Sequence, residues 1–393
     1  MTDHPLIRLN PGQERRLKSG YPWAFSNEIH MQPEFRQMAA GLPVRLEGDD
    51  GWRLGTFAFN PHSLIAARQL DRDPAADIDA GWVRRRIAAA VALRARIMEG
   101  AFYRLVHAEA DGLPGLVVDR YGDVAVVQAN TAWADRMSPE IVAALLEELP
   151  LRAVVARNDS PVREHEGLSL EVALLHGTDA TAVVEEGGVR FGVDLLSGQK
   201  TGWYFDQRGN RDRVAALANG ARVLDVFSHV GAFGLRCAAA GALAVTLVDS
   251  SAPALEQALA AIAANGFSVV QTRRGDAFEV MAEAAHAGEQ YDIVVCDPPA
   301  FAKSKKDQVA GLRAYGRMAG LAGRLVVPGG FLFVASCSHH APLEAFAAVV
   351  ADGLWRARRS GRILATTGAG PDHPVHPHLP ESAYLKAQLL QLD

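Results

Sequence analysis

The fold can be predicted from one segment, Arg222-Val223-Leu224-Asp225-Val226-Phe227-Ser228-His229-Val230-Gly231-Ala232-Phe233-Gly234. A short apolar strand leads into a glycine-containing turn, and the turn leads into the start of a helix. From here to Ser336, further short apolar strands alternate with helical patterns, as expected of parallel β-α-β units. Each strand is apolar throughout, which indicates helices on both faces of the sheet. We therefore predict an α/β fold with a mostly parallel sheet.

Acidic residues stand at three successive predicted strand ends, where an open parallel sheet binds its ligands. Asp225 can accept hydrogen bonds from a ligand there, and Gly231 can let the backbone approach that ligand. Asp249 suits ribose hydroxyls, although a cap on the following helix would use the same residue. Asp276 supplies another carboxylate near an adenine. The spacing is not GxGxxG, which disfavours a dehydrogenase, and the three acids in order favour S-adenosylmethionine (SAM).

The segment Cys296-Asp297-Pro298-Pro299-Ala300-Phe301 follows the fourth strand. Two consecutive prolines extend the chain and remove two backbone donors, which leaves carbonyl groups and the Asp297 carboxylate directed into the cleft. These oxygens can accept hydrogen bonds from the amino group of a base, and Phe301 can stack on that base. We therefore predict a nucleobase subsite made of Asp297, Pro298, Pro299 and Phe301.

The fifth strand ends in Ser336-Cys337-Ser338-His339-His340, and its predicted neighbour in the sheet ends at Asp297. Cys337 is therefore expected close to Asp297, among polar residues where a histidine or another cation could favour the thiolate. Cys237 and Cys296 lie among apolar neighbours in a helix and a strand, which is typical of core cysteines. Cys337 is thus the candidate nucleophile.

Cysteine spacing and composition exclude several classes of protein. The three cysteines show no CxxC spacing, which excludes a disulfide framework and a cysteine-rich zinc site. Adjacent histidines such as His339 and His340 do not converge with Cys337 on one ion, so we expect no metal. Of the 393 residues 49% are hydrophobic, which excludes a disordered chain. Because no apolar stretch approaches the ~20 residues of a membrane span and the N-terminus lacks a secretory apolar core, we expect a cytoplasmic protein.

Charge is distributed unevenly along the chain. The formal net charge of −5 argues against a protein that coats nucleic acid, but residues 303–362 carry ten basic and three acidic side chains. A basic face on an acidic protein suits a specific polyanion partner. Lys303, Lys305 and Lys306, directly after the Asp-Pro-Pro loop, would contact RNA phosphates. They would equally suit a solvated turn, and the sequence leaves both interpretations open.

Three parts can be distinguished along the chain. Residues 1–70 read as short β-strands separated by turns, and residues 71–188 as a linker, a helix and then alternating strands and helices. In the middle part, Ser138 is expected to cap a helix that has Pro139 at its first position. Residues 189–393 form the parallel α/β part. We predict domain boundaries at these positions.

Eight short segments carry a resemblance to a known family: 16–25, 107–119, 200–208, 225–233, 297–301, 336–338, 372–374 and 384–386. Together they resemble the RlmI-like class of SAM-dependent 23S ribosomal RNA (cytosine-5) methyltransferases over nearly the whole chain. The resemblance implies a PUA-like domain at 1–70, which is a small RNA-binding β-barrel. It further implies a central α/β domain at 71–188 and a class I, Rossmann-like methyltransferase domain at 189–393.

The activity that the resemblance implies is formation of 5-methylcytosine in 23S ribosomal RNA. Cys337 would add to carbon 6 of the base, and Asp297 would hold the ring. Related enzymes carry a second cysteine in the Asp-Pro-Pro region, but Ala300 takes that place here, so the proton-abstracting base is not assigned. The implied partners are ribosomal RNA, naked or in an assembly intermediate, and a second copy of the chain in a homodimer.

The implied cofactor is SAM. Asp206, Gln207 and Arg208 would meet its methionine part, because a carboxylate and a guanidinium complement the charges of an amino acid. The full set of expected cofactor contacts is Asp206, Gln207, Arg208, Asp225, Phe227, Gly231, Asp249, Asp276 and Asp297.

Two other functions are compatible with parts of this pattern. A methyltransferase acting on an exocyclic amine of guanine or adenine also uses Asp-Pro-Pro followed by an aromatic, and it needs no thiol. A ribosome-assembly RNA binder could keep the fold without turnover, although a pure binder needs neither the acidic strand ends nor Cys337.

Overall fold

The computed structural model describes residues 4–196 and 202–393, which form two compact units. The first unit runs to Val184 and also holds Val193–Phe205 and Pro371–Ser382; the second holds Glu185–Gly192, Asp206–Gly370 and Ala383–Asp393. Among the described residues, none of the helices combines the length and the apolar composition that a bilayer span requires. Lys200 and Thr201, from the motif at 200–208, lie outside the described residues.

The first unit begins with a β-rich part, as predicted. Its elements are β1 (Leu6–Arg8), α1 (Arg15–Lys18), β2 (Trp23–Ala24), α2 (Pro33–Arg36), β3 (Leu42–Glu47), β4 (Arg53–Phe59) and β5 (Ala67–Asp71). The strands form one sheet in the order β1-β3-β4-β5-β2, in which β1 and β3 pair in parallel and the other pairs are antiparallel. Buried Ile7, Leu46, Phe57 and Phe59 fill the core.

A second five-stranded sheet follows in the same unit. Its elements are α3 (Ala80–Ile97), β6 (Phe102–His107), β7 (Leu116–Tyr121), β8 (Val124–Ala129), α4 (Ala132–Arg136), α5 (Ser138–Glu148), β9 (Ala153–Asn158) and β10 (Glu171–His176). The strand order is β10-β9-β8-β7-β6. Buried Trp82, Val83 and Trp133 pack with the sheet in one core. Helix α3 begins at Ala80 because Asp79 caps it, accepting a hydrogen bond from Trp82 N at 2.7 Å.

The start of α5 differs from the prediction. Met137, not Ser138, occupies the cap position, and it makes no side-chain capping bond. The Ser138 hydroxyl instead donates to Ala134 O at 3.2 Å, at the end of the preceding helix. Two helices follow each other here without a loop, so the serine serves the end of the first one.

The segment Pro371–Ser382 packs in the first unit, although the sequence assigned it to the C-terminal domain. Asp372 Oδ2 accepts a hydrogen bond from Arg104 N at 3.0 Å, and the carbonyl oxygen of Asp372 accepts one from Arg94 Nη2 at 3.0 Å. The Arg94 side chain is fully buried, so the segment completes a buried polar cluster. The contacts of Asp372 with Arg94 and Arg104 join residues 278 and 268 positions apart, so no local sequence pattern predicts them. The three-part division of the chain stays a prediction.

Two strands, β11 (Thr181–Glu186) and β12 (Val189–Asp194), form a hairpin. Its turn residues Gly187 and Gly188 have φ of 52° and 78°. Two successive left-handed residues give the turn whose twist matches a β-hairpin, and glycine adopts that conformation without strain. A hairpin turn therefore occupies the position at which the sequence predicts the boundary between residues 188 and 189.

The described part of the second unit is built on a seven-stranded sheet. Its elements are α6 (Arg208–Ala215), β13 (Arg222–Val226), α7 (Ala232–Ala239), β14 (Ala244–Asp249), α8 (Ala252–Asn265), β15 (Val270–Arg274), α9 (Ala277–His286), β16 (Tyr291–Cys296), α10 (Gln308–Leu325), β17 (Val326–Ser336), α11 (Leu343–Arg356), β18 (Gly361–Thr367) and β19 (Lys386–Leu392). The strand order is β15-β14-β13-β16-β17-β19-β18, and the first five strands are parallel. The predicted α/β fold with a mostly parallel sheet is confirmed.

The last two strands of this sheet were not predicted. Strand β19 pairs antiparallel with β17, and β18 pairs antiparallel with β19 at the sheet edge. Six of the seven residues of β19 are buried, so its sequence lacks alternation, and β18 is mostly exposed. Neither segment shows the period of two that identifies a half-buried strand.

The register of the central strands brings four strand ends to one edge. Val226 is the cross-strand partner of Val248 and of Cys296, and Cys296 is the partner of Val334. Because neighbouring strands lie about 4.8 Å apart, the residues that follow them form a continuous rim. The predicted neighbourhood of the strands that lead to Asp297 and Cys337 is therefore confirmed.

Candidate active site

The turn after β13 has an uncommon backbone conformation. Phe227, His229 and Gly231 have φ of 61°, 50° and 79°. His229 N donates to Asp249 Oδ2 at 2.8 Å, which fixes the turn against the neighbouring strand. A Cβ on Gly231 would lie 2.6 Å from Leu247 Cδ1, so packing and φ both require glycine. The predicted approach of a ligand to the backbone at Gly231 stays a prediction.

Asp225 lies beneath this turn rather than in the cleft. It is 1% exposed, and its Oδ2 accepts a hydrogen bond from Gly234 N at 2.8 Å. Burial raises the pKa of this carboxyl to about 8, and the negative charges of Asp297 and Asp249 act in the same direction. In the structure this side chain anchors the start of α7, and the expected hydrogen bond from Asp225 to a ligand stays a prediction.

Two other predicted acids support the rim through backbone hydrogen bonds. Asp249 accepts from His229 N and, through Oδ1, from Ser251 N at 2.8 Å, while Ser251 itself caps α8. Asp276 is the cap of α9 and accepts from the first backbone N–H groups of that helix at 2.9 and 3.1 Å. The capping role considered for Asp249 thus falls to Ser251. Cofactor contacts of Asp249 and Asp276 stay predictions.

A buried ion pair lies behind the rim. Arg211 is 2% exposed, and its Nη2 donates to Glu186 Oε2 at 2.7 Å. Burial lowers the pKa of Arg211, but Glu186, and then Asp206 and Asp297, raise it above its usual value. Arg208 donates to the same Glu186 oxygen at 3.4 Å. The contact of Arg208 with a cofactor stays a prediction, since the structure shows it bonded to Glu186.

Gln207 holds the Asp297 carboxylate in place. Its Nε2 donates to Asp297 Oδ1 at 2.8 Å, and its Oε1 accepts from Asn210 Nδ2 at 2.6 Å. Asn210 Oδ1 in turn accepts from Thr367 Oγ1 at 2.6 Å. This chain of hydrogen bonds fixes the amide of Gln207 with its nitrogen toward Asp297. Gln207 is 3% exposed, so its role in the structure is to position Asp297.

One carboxylate oxygen of Asp206 is buried without a hydrogen bond. Tyr384 OH donates to Oδ2 at 2.6 Å, whereas Oδ1 has no partner among residues 4–196 and 202–393. Asp206 is 9% exposed. A buried acceptor without a donor is costly, so this oxygen suits a charged donor on a ligand.

Three half-buried phenylalanines cluster beside the rim. The ring centroids of Phe227 and Phe278 lie 6.2 Å apart, those of Phe227 and Phe301 6.1 Å, and those of Phe278 and Phe301 5.9 Å. Phe301 also lies 4.8 Å from Tyr315. Sequence reasoning missed Phe278, although an aromatic two residues after Asp276 was a usable signal. Stacking of Phe301 on a base stays a prediction.

The loop that carries Cys337 is tied to the Asp-Pro-Pro loop. Cys337 is half-buried, directly after β17. Ser338 Oγ accepts a hydrogen bond from Ala302 N at 3.1 Å and lies 2.8 Å from Tyr315 OH. The two loops therefore hold a fixed relative position. Cys237 and Cys296, predicted as core cysteines, are fully buried, and burial raises the pKa of each thiol.

A buried lysine supports the same loop. Lys386 faces Ser336 across the β17–β19 pair, and its Nζ donates to Ser338 O at 2.6 Å and to Ala341 O at 2.8 Å. It is 7% exposed, so burial lowers its pKa, and the neighbouring Cys337 opposes that effect. Sequence reasoning gave Lys386 no role. No local pattern indicated its partners, because Ser338 and Ala341 lie 48 and 45 positions away in the sequence.

The remaining predicted residues lie around these loops. Asp297 is half-buried, Pro298 is buried and Pro299 is exposed. The three lysines at 303, 305 and 306 are exposed, and no ion pair joins their side chains to the described residues. Among those residues no group of histidine, cysteine and carboxylate side chains could hold a metal ion.

Two family models match the chain, a PUA-like domain over residues 7–72 and an S-adenosylmethionine-dependent methyltransferase over residues 166–350. Relatives named ribosomal RNA large subunit methyltransferase I match nearly all of it. The protein from Shewanella denitrificans is 38% identical and that from Shewanella frigidimarina 37%, each with 97% of both chains covered. That from Alteromonas mediterranea is 36% identical, with 98% of both covered. The chain belongs to the ribosomal RNA large subunit methyltransferase I family.

Solved structures confirm the fold of this family member. A SAM-dependent methyltransferase from Streptococcus mutans superposes with a TM-score of 0.81 at 21% identity, covering 98% of this chain and 100% of its own. A methyltransferase crystallised with S-adenosylhomocysteine gives a TM-score of 0.83 at 21% identity, covering 99% and 100%. The PUA-like match ends directly after β5, so it spans the first sheet.

The cofactor of this family member is SAM, and the described residues fit it. The unpaired Oδ1 of Asp206 suits the ammonium group of a methionine moiety. The half-buried ring cluster of Phe227, Phe278 and Phe301 offers apolar faces for an adenine, and Asp249 stands at the next strand end, where a ribose would lie. These groups are compatible with SAM, and their individual contacts with it stay predictions.

Proposed function

We propose that this protein transfers the methyl group of SAM to carbon 5 of a cytosine in 23S ribosomal RNA, with Cys337 as the covalent nucleophile. The relatives' name supports RNA of the large ribosomal subunit as substrate. The observation that carries the chemistry is the placement of Cys337. A half-exposed thiol follows β17, next to the strand that leads to Asp297, and Ser338 Oγ joins the two loops through Ala302 N at 3.1 Å.

Cytosine carbon 5 needs help from a thiol before it can take a methyl group. Addition of the Cys337 thiolate to carbon 6 forms a sulfur–carbon bond, removes the aromaticity of the ring and places the electrons of the C5–C6 double bond on carbon 5. SAM, when bound, supplies an electrophilic methyl group on its sulfonium. Asp297, held by Gln207, accepts hydrogen bonds from the amino group of the base and keeps the ring in place. Removal of the carbon 5 proton by a base then expels the Cys337 thiolate.

We infer that Lys386 favours the thiolate form of Cys337. Lys386 is the cross-strand partner of Ser336, and its buried ammonium group donates to Ser338 O and Ala341 O, in the loop that begins with Cys337. A positive charge in a poorly solvated position stabilises a neighbouring anion more than a solvated one would. Lys386 thereby acts on both the charge and the position of Cys337.

Cys296 is unsuited to the role of a second thiol that assists release. It lies within β16 at 0% exposure, and burial raises its pKa, so it neither meets substrate nor ionises readily. With Ala300 in the Asp-Pro-Pro loop, the base that removes the carbon 5 proton has to be a group other than cysteine.

Substitution of Cys337 tests the proposal. We expect Cys337→Ala to abolish methyl transfer to a 23S ribosomal RNA transcript while its calorimetric affinity for SAM stays within about twofold of wild type. His340→Ala, an exposed neighbour, serves as the matched control and should retain activity. Nucleoside mass spectrometry of the product should show 5-methylcytidine.

Two results would favour the other candidate functions. Full activity of Cys337→Ala, with an N-methylated purine in the product, would identify an exocyclic-amine methyltransferase. RNA binding without SAM binding would identify a non-catalytic RNA binder of ribosome assembly.

We also propose that the protein acts in the cytoplasm as a homodimer, on ribosomal RNA that is naked or in an assembly intermediate. Methyl transfer to a naked 23S transcript, compared with transfer to isolated precursor and mature large subunits, distinguishes the substrate forms. Sedimentation equilibrium measures the oligomeric state, and a monomer mass at micromolar concentration would refute the dimer.

A further inference from the structure

The first unit contains a cavity of about 440 Å³ that shares no residue with the proposed active site. The end of β5, with Arg72, forms one side, and α3, with Arg86 and Leu93, forms the floor. The turn at 109–112 and His376 complete it. A cavity of this size accommodates a group as large as a nucleotide.

The carboxylates that line the cavity have partners within the protein. Glu109 accepts hydrogen bonds from Trp23 Nε1 at 2.8 Å and Arg68 Nη1 at 3.0 Å. Asp111 forms a two-point ion pair with the buried Arg94. Arg94 therefore balances the charge of Asp111, whereas Glu109 receives both bonds on Oε1 and shares Arg68 with Glu166, so its charge is balanced only in part.

The third carboxylate, Asp71, is likewise occupied. It accepts hydrogen bonds from Trp82 Nε1 at 2.9 Å and Arg86 Nη2 at 3.1 Å. The Trp82 and Arg86 contacts lower the pKa of Asp71 although burial raises it, so the carboxylate stays ionised and paired.

The groups that remain for a ligand are hydrogen-bond donors. Arg72 is exposed, and its guanidinium has neither an ion pair nor a hydrogen bond with any residue that the structure describes. The His376 ring accepts a hydrogen bond at Nδ1 from His378 N at 3.2 Å. Burial and the neighbouring His378 lower the pKa of His376, so its neutral ring carries the proton on Nε2. The unsatisfied groups therefore suit an anion.

An apolar surface lies beside these donors. Pro22, Ala89, Ala90 and Leu93 line the cavity, and the Leu93 side chain is 40% exposed. A cationic group next to an apolar surface is the arrangement that a nucleotide requires, with its phosphate on the cation and its base on the surface.

We propose that this cavity binds one unpaired nucleotide of the RNA substrate, with its phosphate on Arg72 and its base against Leu93 and Ala89. The inference rests on the proposed function insofar as RNA is the substrate. The nucleotide bound here is distinct from the target cytosine. The cavity thus anchors the RNA from the unit that carries the PUA-like match.

The test compares Arg72→Gln with Arg96→Gln in the full-length chain. Arg96 is an exposed arginine on α3 that does not line the cavity, so both variants lose one surface charge. We expect Arg72→Gln to weaken binding of a 23S ribosomal RNA fragment about five- to tenfold and to reduce the salt slope of binding by about one unit. Arg96→Gln should change the affinity less than twofold, and both variants should bind SAM as wild type does.

A second measurement locates the nucleotide directly. Ultraviolet crosslinking of 4-thiouridine-substituted RNA, followed by peptide mass spectrometry, should identify the peptide that contains Leu93. Equal affinities of the two arginine variants, together with crosslinks outside α3 and β5, would overturn the cavity proposal alone. Failure of the wild-type protein to bind RNA at all would overturn the proposed function with it. Crosslinking to free uridine monophosphate but not to RNA would show a free-nucleotide site and refute the RNA subsite.

Discussion

Replacement of Lys386 by methionine removes the only buried ammonium group that the structure places beside Cys337 among the described residues. Methionine keeps the length and the apolar stem of lysine, so the change removes mainly the charge and two hydrogen bonds, to Ser338 O at 2.6 Å and Ala341 O at 2.8 Å. An opposite charge near a thiol typically shifts its ionisation by about one pH unit or more. We therefore expect Cys337 to react about tenfold more slowly with iodoacetamide at pH 7.

The assay measures the alkylation rate of Cys337 against pH by mass spectrometry of the intact protein. The thiols of Cys237 and Cys296 are buried and should react only after the protein unfolds. The rate profile of Lys386→Met should move to higher pH, whereas Lys386→Arg, which keeps the charge, should stay near wild type. Lys18→Met, an exposed lysine of the first unit, controls for loss of a positive charge in general.

The binding of SAM by Lys386→Met shows whether the variant has lost only a charge or has also lost its folded structure. Two lost hydrogen bonds to backbone carbonyls cost about 1–3 kcal/mol of unfolding free energy, which lowers the melting temperature without moving a pH profile. An alkylation profile of Lys386→Met that coincides with wild type, in a variant that still binds SAM, would refute the role of Lys386.

Three further variants probe the fold and the cofactor site. Asp206→Asn should weaken calorimetric SAM binding about 10- to 100-fold, because it removes a charged acceptor whose Oδ1 is buried and unpaired; unchanged affinity would contradict this assignment. Gly231→Ala should lower the free energy of unfolding in urea titrations by about 2 kcal/mol, because the new Cβ would lie 2.6 Å from Leu247 Cδ1 and the φ of 79° disfavours alanine. An unchanged midpoint of urea unfolding would refute this explanation. The fold raises the pKa of Asp225 to about 8, so the stabilising contribution of its protonated carboxyl is present at low pH and is lost as pH rises toward 8. Asp225→Asn should therefore flatten the dependence of the free energy of unfolding on pH between pH 4 and 8. Parallel curves for the variant and the wild type would show that this carboxyl ionises normally.

The sequence was informative where periodicity and chemistry coincide. The apolar strands that lead to Asp249, Asp297 and Cys337 predicted both the parallel sheet and the edge at which these strands end, because the register of parallel strands aligns their carboxyl ends. The turn after β13 could be located but not explained. Packing between strands places Leu247 against Gly231 and buries Asp225 beneath the turn. No local sequence pattern indicates such packing.

Residues that act across long sequence separations could not be predicted. Lys386 reaches the Cys337 loop from the last strand, and Tyr384 reaches Asp206 across 178 positions. The segment Pro371–Ser382 joins the first unit through Asp372, for the same reason. Strand β19 positions Lys386 beside the Cys337 loop. Nearly all of this strand is buried, so its sequence does not alternate between polar and apolar residues as a half-buried strand does.

The most direct measurement of the covalent mechanism uses RNA that contains 5-fluorocytidine. Fluorine at carbon 5 cannot leave as a proton does, so the adduct formed by thiolate addition and methyl transfer is trapped. Tryptic mass spectrometry after incubation with SAM should show a methylated fluorocytidine attached to the peptide that contains Cys337, and Cys337→Ala should show none. Turnover of unsubstituted RNA without any adduct on Cys337 would contradict the account.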